Sequence, residues 1–447
     1  MMKKKVLCVL LMVLMIFTAW GFSGCSPAET PTTETPAGET PTAETPAQPV
    51  DGEPIVIAIP TALGSIEGRD GVRAIEMAVE EINSAGGVNV GGEQRPFKVV
   101  TIDTREHEAG IPIHDALAAL ERIILTEEPH AILFGAFRSE VLLASMDVIA
   151  DHKIPYIVTT AMTPEMESKI AENYDEYKYM FRMCLNAPYL VRYLNQMMEH
   201  FGNEFGFDKA LIAVQDVLWA TGTGKGVEAW FNNNGWDVVG FDVYPTGAGD
   251  FSSSLTKARQ GGAQVIVPIF DMPQSGILVK QARDMEVPAL VAGFISPAAP
   301  ENAWDVFDGE LDGLINFVFE IGPLPAEAVP KSVEFNQKFG EKFGENARIS
   351  LAGHAPGPSY DSVYVLRDAI ERAGSIDADA IVAALEETDT HGVIGRIRFD
   401  ENHQVVYGLD PEETALGGAF QWREPGVRVP VFPEMIAEDD IELPPYM

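Results

Sequence analysis

An alternation of apolar strands and amphipathic helices is the feature that most constrains the fold of this chain. The run PIVIAIP at 54–60 contains no charged residue and predicts a buried strand. A helix is expected after it, because Val72, Ile75, Val79 and Ile82 recur at helical spacing. Strands that alternate with helices in this way indicate a parallel α/β sheet with right-handed crossovers.

The alternation occurs in two series. The first continues through the strands FKVVTID, HAILFGA and IPYIVTT, and the second runs through DKALIAVQD, WDVVGFDVYP, AQVIVPIF and ALVAGF. We expect each series to form its own sheet. Ligands of open parallel sheets bind beyond the carboxyl ends of the strands. The sequence therefore predicts two lobes with a ligand-binding cleft between them.

The N-terminal residues follow a different pattern. Three lysines precede a short apolar run, which is typical of a secretory signal peptide and predicts one at 1–24. The run ends in FSGC, which resembles the lipobox of lipoproteins. That resemblance implies cleavage before Cys25 and a thioether-linked lipid on its sulfur. Ordinary secretion, with cleavage at small residues, is the alternative.

Residues 25–53 contain a short repeat. The triplet Glu-Thr-Pro recurs at 29–31, 34–36, 39–41 and 44–46. Proline disfavours helix and sheet, and the segment has too few apolar side chains to form a core. We expect a disordered, acidic, semi-rigid tether that holds the folded part near the outer face of a membrane.

The charge balance excludes one class of partner. The sequence carries 31 basic and 67 acidic side chains, and loss of the three signal lysines leaves 28 against 67, a balance of −39. Such a surface repels nucleic acid and anionic lipid, so we expect no nucleic-acid partner. With Cys8 removed and Cys25 lipidated, Cys184 is expected to be a buried thiol outside any disulfide.

The sequence lacks the common catalytic and nucleotide-binding signatures. Its eight histidines form no H-E-x-x-H motif, and the nearest approach to a G-x-S-x-G elbow, at 357–361, lacks the last glycine. WATGTGKG at 219–226 has two suitably spaced glycines, but Val227 replaces the third glycine of a dinucleotide loop. We expect no enzyme, cofactor or metal site, with an exported α/β hydrolase as a remote alternative. The glycines are expected to let the chain turn behind Trp219.

From about Ile55 to Pro433 the chain resembles the extracytoplasmic substrate-binding proteins of ABC transporters of the branched-chain amino acid (Leu/Ile/Val-binding) type. The motifs that carry the resemblance stand in the family's order: GVRAIEMAVEEINSAGGV, GAFRSEVLLASMDVIADHKIPYIV, YPTGAGDFSSSLTKARQGGAQVIV, SYDSVYVLRDAIERAGS, GRIRFDENHQ and FQWREPGVRVPVFP. The resemblance implies an α/β, two-lobed, periplasmic-binding-protein-like fold of type I. In it each lobe is a parallel sheet flanked by helices, and three crossovers form a hinge.

The resemblance also implies where the lobes begin and end. Lobe 1 is expected at 54–184 and 297–400, lobe 2 at 185–296 and 401–436, and a C-terminal tail at 437–447.

The function that the resemblance implies is solute capture. We expect a monomeric, extracytoplasmic, lipid-anchored protein that binds an amino acid, amide or small carboxylate by hinge closure and delivers it to the permease subunits of an ABC transporter. A sensing receptor domain of the same fold is the alternative. The end of the chain, IELPPYM, carries no apolar run and favours the tethered binding protein.

In lobe 1 the resemblance points to residues that follow the first strands. Ser139 is expected to cap a helix and to contact a ligand carboxylate from that helix end. Arg138 is expected either to clamp a carboxylate or to form a surface ion pair. Ala161 and Thr163 match the family's backbone and hydroxyl contacts, and Leu63 would form an apolar wall. Thr163 is also a candidate helix cap.

In lobe 2 the candidates are Trp219, Asp271 and Gln274. Trp219 stands where the family has a cleft tyrosine, and burial in the core of its own lobe is the alternative. Gln274 occupies the place of the family's ammonium-binding carboxylate. Either Asp271 substitutes for that carboxylate, or the ligand lacks an ammonium and Gln274 donates to it. Glu67 and Arg69 are expected to be solvated or paired across their loop.

Overall fold

The computed structural model describes residues 52–447. The predicted signal peptide, the lipidation site Cys25 and the tether up to residue 51 lie outside the described residues. Within them, no helix is both long and apolar enough to span a bilayer.

The described chain contains strands and helices in alternation through most of its length. The strands are β1 (Ile55–Thr61), β2 (Val88–Val90), β3 (Glu93–Arg95), β4 (Phe97–Asp103), β5 (Ala131–Phe134), β6 (Tyr156–Val158), β7 (Met180–Arg182), β8 (Lys209–Gln215), β9 (Asp237–Tyr244), β10 (Val265–Phe270), β11 (Leu290–Ile295), β12 (Ile315–Val318), β13 (Asp389–Gly392), β14 (Gly395–Arg398), β15 (Tyr407–Gly408), β16 (Ala415–Leu416), β17 (Gly418–Arg423) and β18 (Val427–Phe432). The helices are α1 (Ile66–Ser84), α2 (Ile113–Glu127), α3 (Ser139–His152), α4 (Glu165–Glu172), α5 (Tyr174–Tyr177), α6 (Ala187–Phe205), α7 (Leu218–Asn233), α8 (Ser252–Gly261), α9 (Ile277–Asp284), α10 (Ala303–Val306), α11 (Pro330–Phe343), α12 (Glu345–Arg348), α13 (Pro356–Ala373) and α14 (Ala378–Glu386).

Two large sheets organise most of these elements, and two small sheets, β13-β14-β16-β15 and β2-β3, accompany them in the described residues. The first sheet has the order β4-β1-β5-β6-β7, and all of its strands are parallel. The second has the order β18-β17-β12-β11-β10-β8-β9, in which the strands from β12 to β9 are parallel and β17 and β18 are antiparallel. The predicted α/β fold with two helix-flanked parallel sheets is confirmed.

Strand β12 lies in the second sheet, although its segment was assigned to lobe 1. β12 falls in the segment 297–400 that was assigned to lobe 1, yet it pairs in parallel with β11 and antiparallel with β17 of the second sheet. All four residues of β12 are buried, and the strand lies between β11 and β17 in the second sheet. The lobe boundaries themselves stay a prediction.

The strands are buried because helices cover both faces of each sheet. In the first sheet Ile57, Ile59 and Ile132 have no exposed surface, and in the second Ile212 and Ile269 have none. Each fully buried side chain of this size contributes about 1.5–3 kcal/mol. The near-continuous apolar runs in the sequence reflect this two-sided burial.

The stretch WATGTGKG lies inside helix α7, and the expected turn behind Trp219 is wrong. Its glycines serve packing instead. A Cβ on Gly224 would lie 2.6 Å from Cγ1 of Val214 on β8, and a Cβ on Gly226 would lie 2.7 Å from Cγ2 of Val191 on α6. These glycines let α7 approach its sheet and its neighbouring helix closely, which offsets the low helix propensity of glycine. Lys225 is exposed.

Two alanine substitutions in α7 test this packing. Gly224→Ala is expected to destabilise the protein by about 1–3 kcal/mol, because the new methyl group overpacks against Val214 and Phe241. Gly222→Ala is the matched control, since its Cβ meets no atom within 4 Å. That control is expected to stabilise the helix by up to about 1 kcal/mol. Equal melting temperatures for the two variants in thermal denaturation would contradict the close approach.

Candidate functional site

A small cavity lies where the two sheets face each other. Its volume is about 20 Å³, close to that of a single water-sized probe. It is lined by Glu67, Phe137, Thr160, Met162, Trp219, Asp271, Phe294, Phe319 and His354. Most of these residues follow the carboxyl ends of strands in both sheets, where parallel α/β folds bind ligands.

Trp219 forms one wall of this cavity and is 6 % exposed. Its Nε1 donates a hydrogen bond to Oδ2 of Asp271 at 2.9 Å. The indole meets the rings of Phe294 and Phe319 edge-on, at centroid separations of 6.1 and 5.9 Å. Trp219 is therefore both buried and part of the cavity wall, so its two sequence interpretations hold together.

Asp271 stands directly after β10 and supplies one carboxylate of the cavity. Burial raises its pKa, while the charge of Arg138 and the hydrogen bond from Trp219 act in the opposite direction. Gln215 fixes the loop, because its Oε1 accepts the backbone N–H groups of Asp271 and Met272, each at 3.0 Å. The loop therefore holds Asp271 with its carboxylate against the indole.

Glu67 supplies a second carboxylate, which the sequence analysis expected in solvent or in a pair across its loop. It is 2 % exposed and accepts a hydrogen bond from the hydroxyl of Ser296. The pKa of Glu67 is raised to about 7, first by burial and also by the charge of Asp271, against the hydrogen bond from Ser296. Arg69 pairs with its neighbour Asp70 instead, with Nε 2.7 Å from Oδ1.

His354 is a buried histidine held between two acceptors. Its Nδ1 lies 3.0 Å from Oε2 of Glu320, and its Nε2 lies 2.9 Å from the carbonyl oxygen of Thr160. Both partners accept hydrogen bonds, so the ring satisfies them together only as an imidazolium. Burial lowers the pKa of His354, but the charge and hydrogen bond of Glu320 outweigh it, and the net shift is upward.

The helix end after β5 differs from the sequence expectation. The N-cap of α3 is Arg138, so the capping role predicted for Ser139 is wrong. The carboxylate of Glu106 holds the turn just before α3, because it accepts the backbone N–H of Phe137 at 3.0 Å and that of Arg138 at 2.9 Å. The hydroxyl of Ser139 accepts the backbone N–H of Met162 at 3.3 Å.

The guanidinium of Arg138 is bound within the protein. Its Nε donates to the carbonyl oxygen of Glu106, and one terminal nitrogen lies 3.4 Å from the carbonyl oxygen of His107. Among residues 52–447 it forms no ion pair at the surface, and the expected clamp on a ligand carboxylate stays a prediction. Its charge nonetheless acts on Asp271 across the cavity.

The other predicted residues lie at varying distances from the cavity. Ala161 and Thr163 are buried on either side of Met162, which lines it. Thr163 lies just before α4, and its hydroxyl accepts the backbone N–H of Glu165 at 3.3 Å. Leu63 is half-buried and packs against the core, and Gln274 is exposed on a short 3-10 helix. Of the predicted set, Trp219 and Asp271 line the cavity, and the binding roles of all the predicted residues stay predictions.

Cys184 is buried, as expected, and its thiol approaches Glu320 and His354. One ligand-type atom of each lies within 4.8 Å of the others. The two oxygens of Glu320 accept from the backbone of Leu185 and from His354, and both nitrogens of His354 have partners. Burial raises the pKa of the Cys184 thiol well above its usual range. The donor atoms thus form a satisfied ion pair beside a neutral thiol.

Comparison with known proteins gives the family. A family model for periplasmic binding proteins matches residues 56–409. The chain belongs to this family. Leu/Ile/Val-binding protein homolog 7 of Brucella suis is 25 % identical over 393 residues, which cover 84 % of this chain and 90 % of the relative.

Solved structures agree on the fold. A putative branched-chain amino acid ABC transporter protein from Silicibacter pomeroyi is 19 % identical, with a TM-score of 0.74 over 88 % of this chain and 100 % of that one. A leucine-binding protein from Thermotoga maritima is 22 % identical, with a TM-score of 0.68 over 84 % and 97 % of the two chains. This periplasmic binding protein therefore has the predicted fold, and its family implies an extracytoplasmic location.

Three groups around the cavity of this binding protein were missed by sequence reasoning. Glu67 lies on the polar side of a helix pattern, and Glu106 lies in a loop some 30 residues before the turn that it holds. His354 stands in an irregular segment before α13. Its position shortly before the motif SYDSVY could have marked His354 as a candidate site residue, although nothing in the sequence pairs it with Glu320.

The ion pair at His354 predicts a pH-dependent stability. Because the folded pKa of His354 is raised, its pairing with Glu320 contributes fully below the unfolded pKa of about 6.5 and is lost as pH rises through the folded value. His354→Gln is expected to lower the free energy of unfolding most at pH 6 and less at pH 9. His114→Gln, at an exposed position, is the control. An H354Q deficit in denaturant unfolding that is independent of pH would contradict the imidazolium.

Proposed function

We propose that this protein captures a small polar solute in the cavity between its two sheets and delivers it to the permease of an ABC transporter. The solute classes are branched-chain and related amino acids, amides and small carboxylates. The observation that carries the proposal is the cavity itself. Residues from both sheets line it, with polar groups at Glu67, Asp271 and His354 and aromatic walls beside them. The names of the relatives, which refer to leucine, isoleucine and valine, support the same class.

A solute held by both sheets favours their approach, because the full set of contacts is available only in the closed arrangement. The cavity as described has room for about one water, so a solute of these classes requires the two sheets to stand farther apart before they close on it. Direct contacts across the site hold the two sides together in the described arrangement. The backbone N–H of Leu218, the first residue of α7, donates to Oε1 of Glu140 on α3 at 2.8 Å. The carboxylate therefore lies at the positive end of the α7 dipole. The hydrogen bond from Ser296 to Glu67 also joins the two halves of the site.

We also propose that the protein is a monomer held to the membrane through a lipid on Cys25, with residues up to 53 as the tether. The lipobox-like sequence and the Glu-Thr-Pro repeat support this part of the proposal. Capture without catalysis agrees with the family, whose members bind substrates.

A solute screen tests the proposed capture. Leucine, isoleucine, valine, small amides and short carboxylates are added to the purified protein, and the melting temperature is recorded. A solute at about 100 times its Kd stabilises the protein by about 2.7 kcal/mol. Trp219→Phe is expected to weaken binding of that solute, because it removes the hydrogen bond that orients Asp271 while keeping an aromatic wall. If no solute of these classes raises the melting temperature, the proposed function is wrong.

The contact between Glu140 and α7 tests the proposed closure. Glu140→Ala is expected to raise the radius of gyration of the solute-free protein in small-angle scattering. It is also expected to weaken solute binding by about tenfold, since a charged hydrogen bond of the closed form is lost. Glu199→Ala, at an exposed site on α6, is the control. Unchanged scattering and affinity in E140A would show that this contact does not favour closure.

A further inference from the structure

His354 joins the two sheets at the wall of the cavity. Its Nε2 lies 2.9 Å from the carbonyl oxygen of Thr160, which follows β6 of the first sheet. Its Nδ1 lies 3.0 Å from Oε2 of Glu320, which follows β12 of the second sheet. Both His354 and Thr160 line the cavity. The imidazole ring is therefore a bridge between the sheets beside the proposed solute site.

Glu320 lies at the start of a segment that leads from β12 of the second sheet to α13, which packs beside the first sheet. Its side chain is 1 % exposed. Oε1 accepts the backbone N–H of Leu185 at 3.2 Å, in the crossing segment that leads from β7 to α6. Oε2 accepts the backbone N–H of Ala355 at 3.3 Å, just before α13. One carboxylate thus holds two of the segments that cross between the sheets, as well as His354.

Within the described residues a third segment, from β14 to β17, crosses between the sheets and is tied to the other two. The hydroxyl of Tyr407 in this segment donates to the carbonyl oxygen of Met183 in the first crossing at 2.7 Å. The backbone N–H of Ile321 in the second crossing donates to the carbonyl oxygen of Leu416 in the third at 3.0 Å. A change in the angle between the sheets therefore has to rearrange contacts around Glu320.

The bridge needs a proton on both ring nitrogens. The carbonyl of Thr160 and the carboxylate of Glu320 only accept hydrogen bonds, so a neutral imidazole, which carries one N–H, can bond to one of them. The second nitrogen then turns its lone pair toward an oxygen. A hydrogen bond to a charged group changes an equilibrium by about tenfold or more. Deprotonation of His354 therefore removes a contact that favours the described arrangement of the sheets.

Three other ionisable groups face the ring from different elements. Glu67 of α1 and Asp271 after β10 line the same cavity, and their negative charges and the positive charge of His354 stabilise one another. The thiol of Cys184, after β7, lies in the cluster with the imidazole. Burial raises the pKa of this thiol well above its usual range, so it stays neutral. The surrounding groups thus favour the imidazolium.

The direction of the pH effect follows from these surroundings. Burial lowers the pKa of His354, but the charge and hydrogen bond of Glu320, the carbonyl of Thr160 and the charge of Glu67 outweigh it, and the net shift is upward. The bridge is therefore complete below the unfolded pKa of about 6.5 and is lost as the pH rises through the folded value.

We propose that His354 is a pH-sensitive positioning residue, whose bridge from Thr160 to Glu320 holds the two sheets together and releases them when the ring loses its proton. Its effect on a solute comes through the distance between the sheets. Release of a solute is faster at high pH, because opening then has one contact fewer to break. This consequence rests on the proposed function, whereas the arrangement of the solute-free sheets does not.

Small-angle scattering of the purified, solute-free protein at pH 6 and pH 9 tests the bridge. The wild type is expected to have the larger radius of gyration at pH 9. His354→Gln is expected to show that larger radius at both pH values, because a neutral amide replaces the imidazolium. Glu320→Gln keeps an acceptor for the N–H of Leu185 and is expected to expand the protein at pH 6.

Glu67 titrates in the same range and needs its own variant. The pKa of Glu67 is raised to about 7, chiefly by burial, so this carboxylate also ionises between pH 6 and pH 9. Glu67→Gln is expected to keep the pH-dependent expansion, since the bridge at His354 remains.

His403 provides a matched control. It is 2 % exposed and is bonded in the same way, with Nε2 3.1 Å from Oε1 of Glu386 and Nδ1 2.9 Å from the carbonyl oxygen of Met180. Its partners belong to α14 and β7, and it is not among the residues that line the cavity. His403→Gln is expected to lower the melting temperature about as much as His354→Gln and to leave the radius of gyration unchanged.

These outcomes separate the bridge from the proposed function, because no solute is added. The inference is wrong if the wild type has equal radii at pH 6 and pH 9, or if H354Q matches the wild type at pH 6. It is also wrong if the pH-dependent expansion persists in H354Q and disappears in E67Q, or if H403Q expands as much as H354Q. In each case solute capture still stands. Failure of the solute screen alone would overturn the proposed function and leave the bridge in place.

Discussion

The cost of burying charge at the facing ends of two parallel sheets governs the whole site. Parallel strands end at the same edge, so loops from both sheets bring polar groups into one small apolar space. Each buried charge there needs a partner. Asp271 is stabilised by Trp219 and Arg138, Glu106 by the amides of the turn before α3, and Glu320 by His354. Glu67 accepts the hydroxyl hydrogen of Ser296 and is stabilised by the nearby charge of His354.

The buried charged groups connect the fold to the proposed function. The helices and strands are held by ordinary two-sided burial of apolar residues, which leaves the loops at the strand ends free to carry the chemistry. The aromatic walls exclude water, and exclusion of water strengthens each electrostatic contact in the cavity. A solute that contacts lining residues from both sheets is bound by the two sheets together. Its binding then favours their approach by the free energy of those contacts.

The sequence predicted the fold well and the site in part. Apolar runs such as PIVIAIP identified the parallel strands because two-sided burial leaves no alternation. Trp219 and Asp271 were found because each follows a strand end. WATGTGKG was misread because its glycines, poor helix formers, are required by the packing of α7 against Val214 and Val191.

The wrong predictions for Glu67 and Ser139 share a physical cause. Glu67 looks like a solvated helix residue, and its burial depends on where the second sheet stands. Ser139 is of a residue type that commonly caps helices, but its hydroxyl accepts the backbone N–H of Met162, which lies after a different strand. Sequence periodicity indicates which face of a helix or strand is buried. Which polar groups form hydrogen bonds depends on distances in the folded structure, and a single sequence does not contain those distances.

The central claim is that the cavity between the sheets is the solute site. A crystal structure of the protein grown with the solute that most raises its melting temperature tests it most directly. The account predicts that solute beside Trp219 and Asp271, against the rings of Phe294 and Phe319. The same solute bound elsewhere, such as in the larger cavity of about 220 Å³ beside Lys331 and Tyr364, would contradict it.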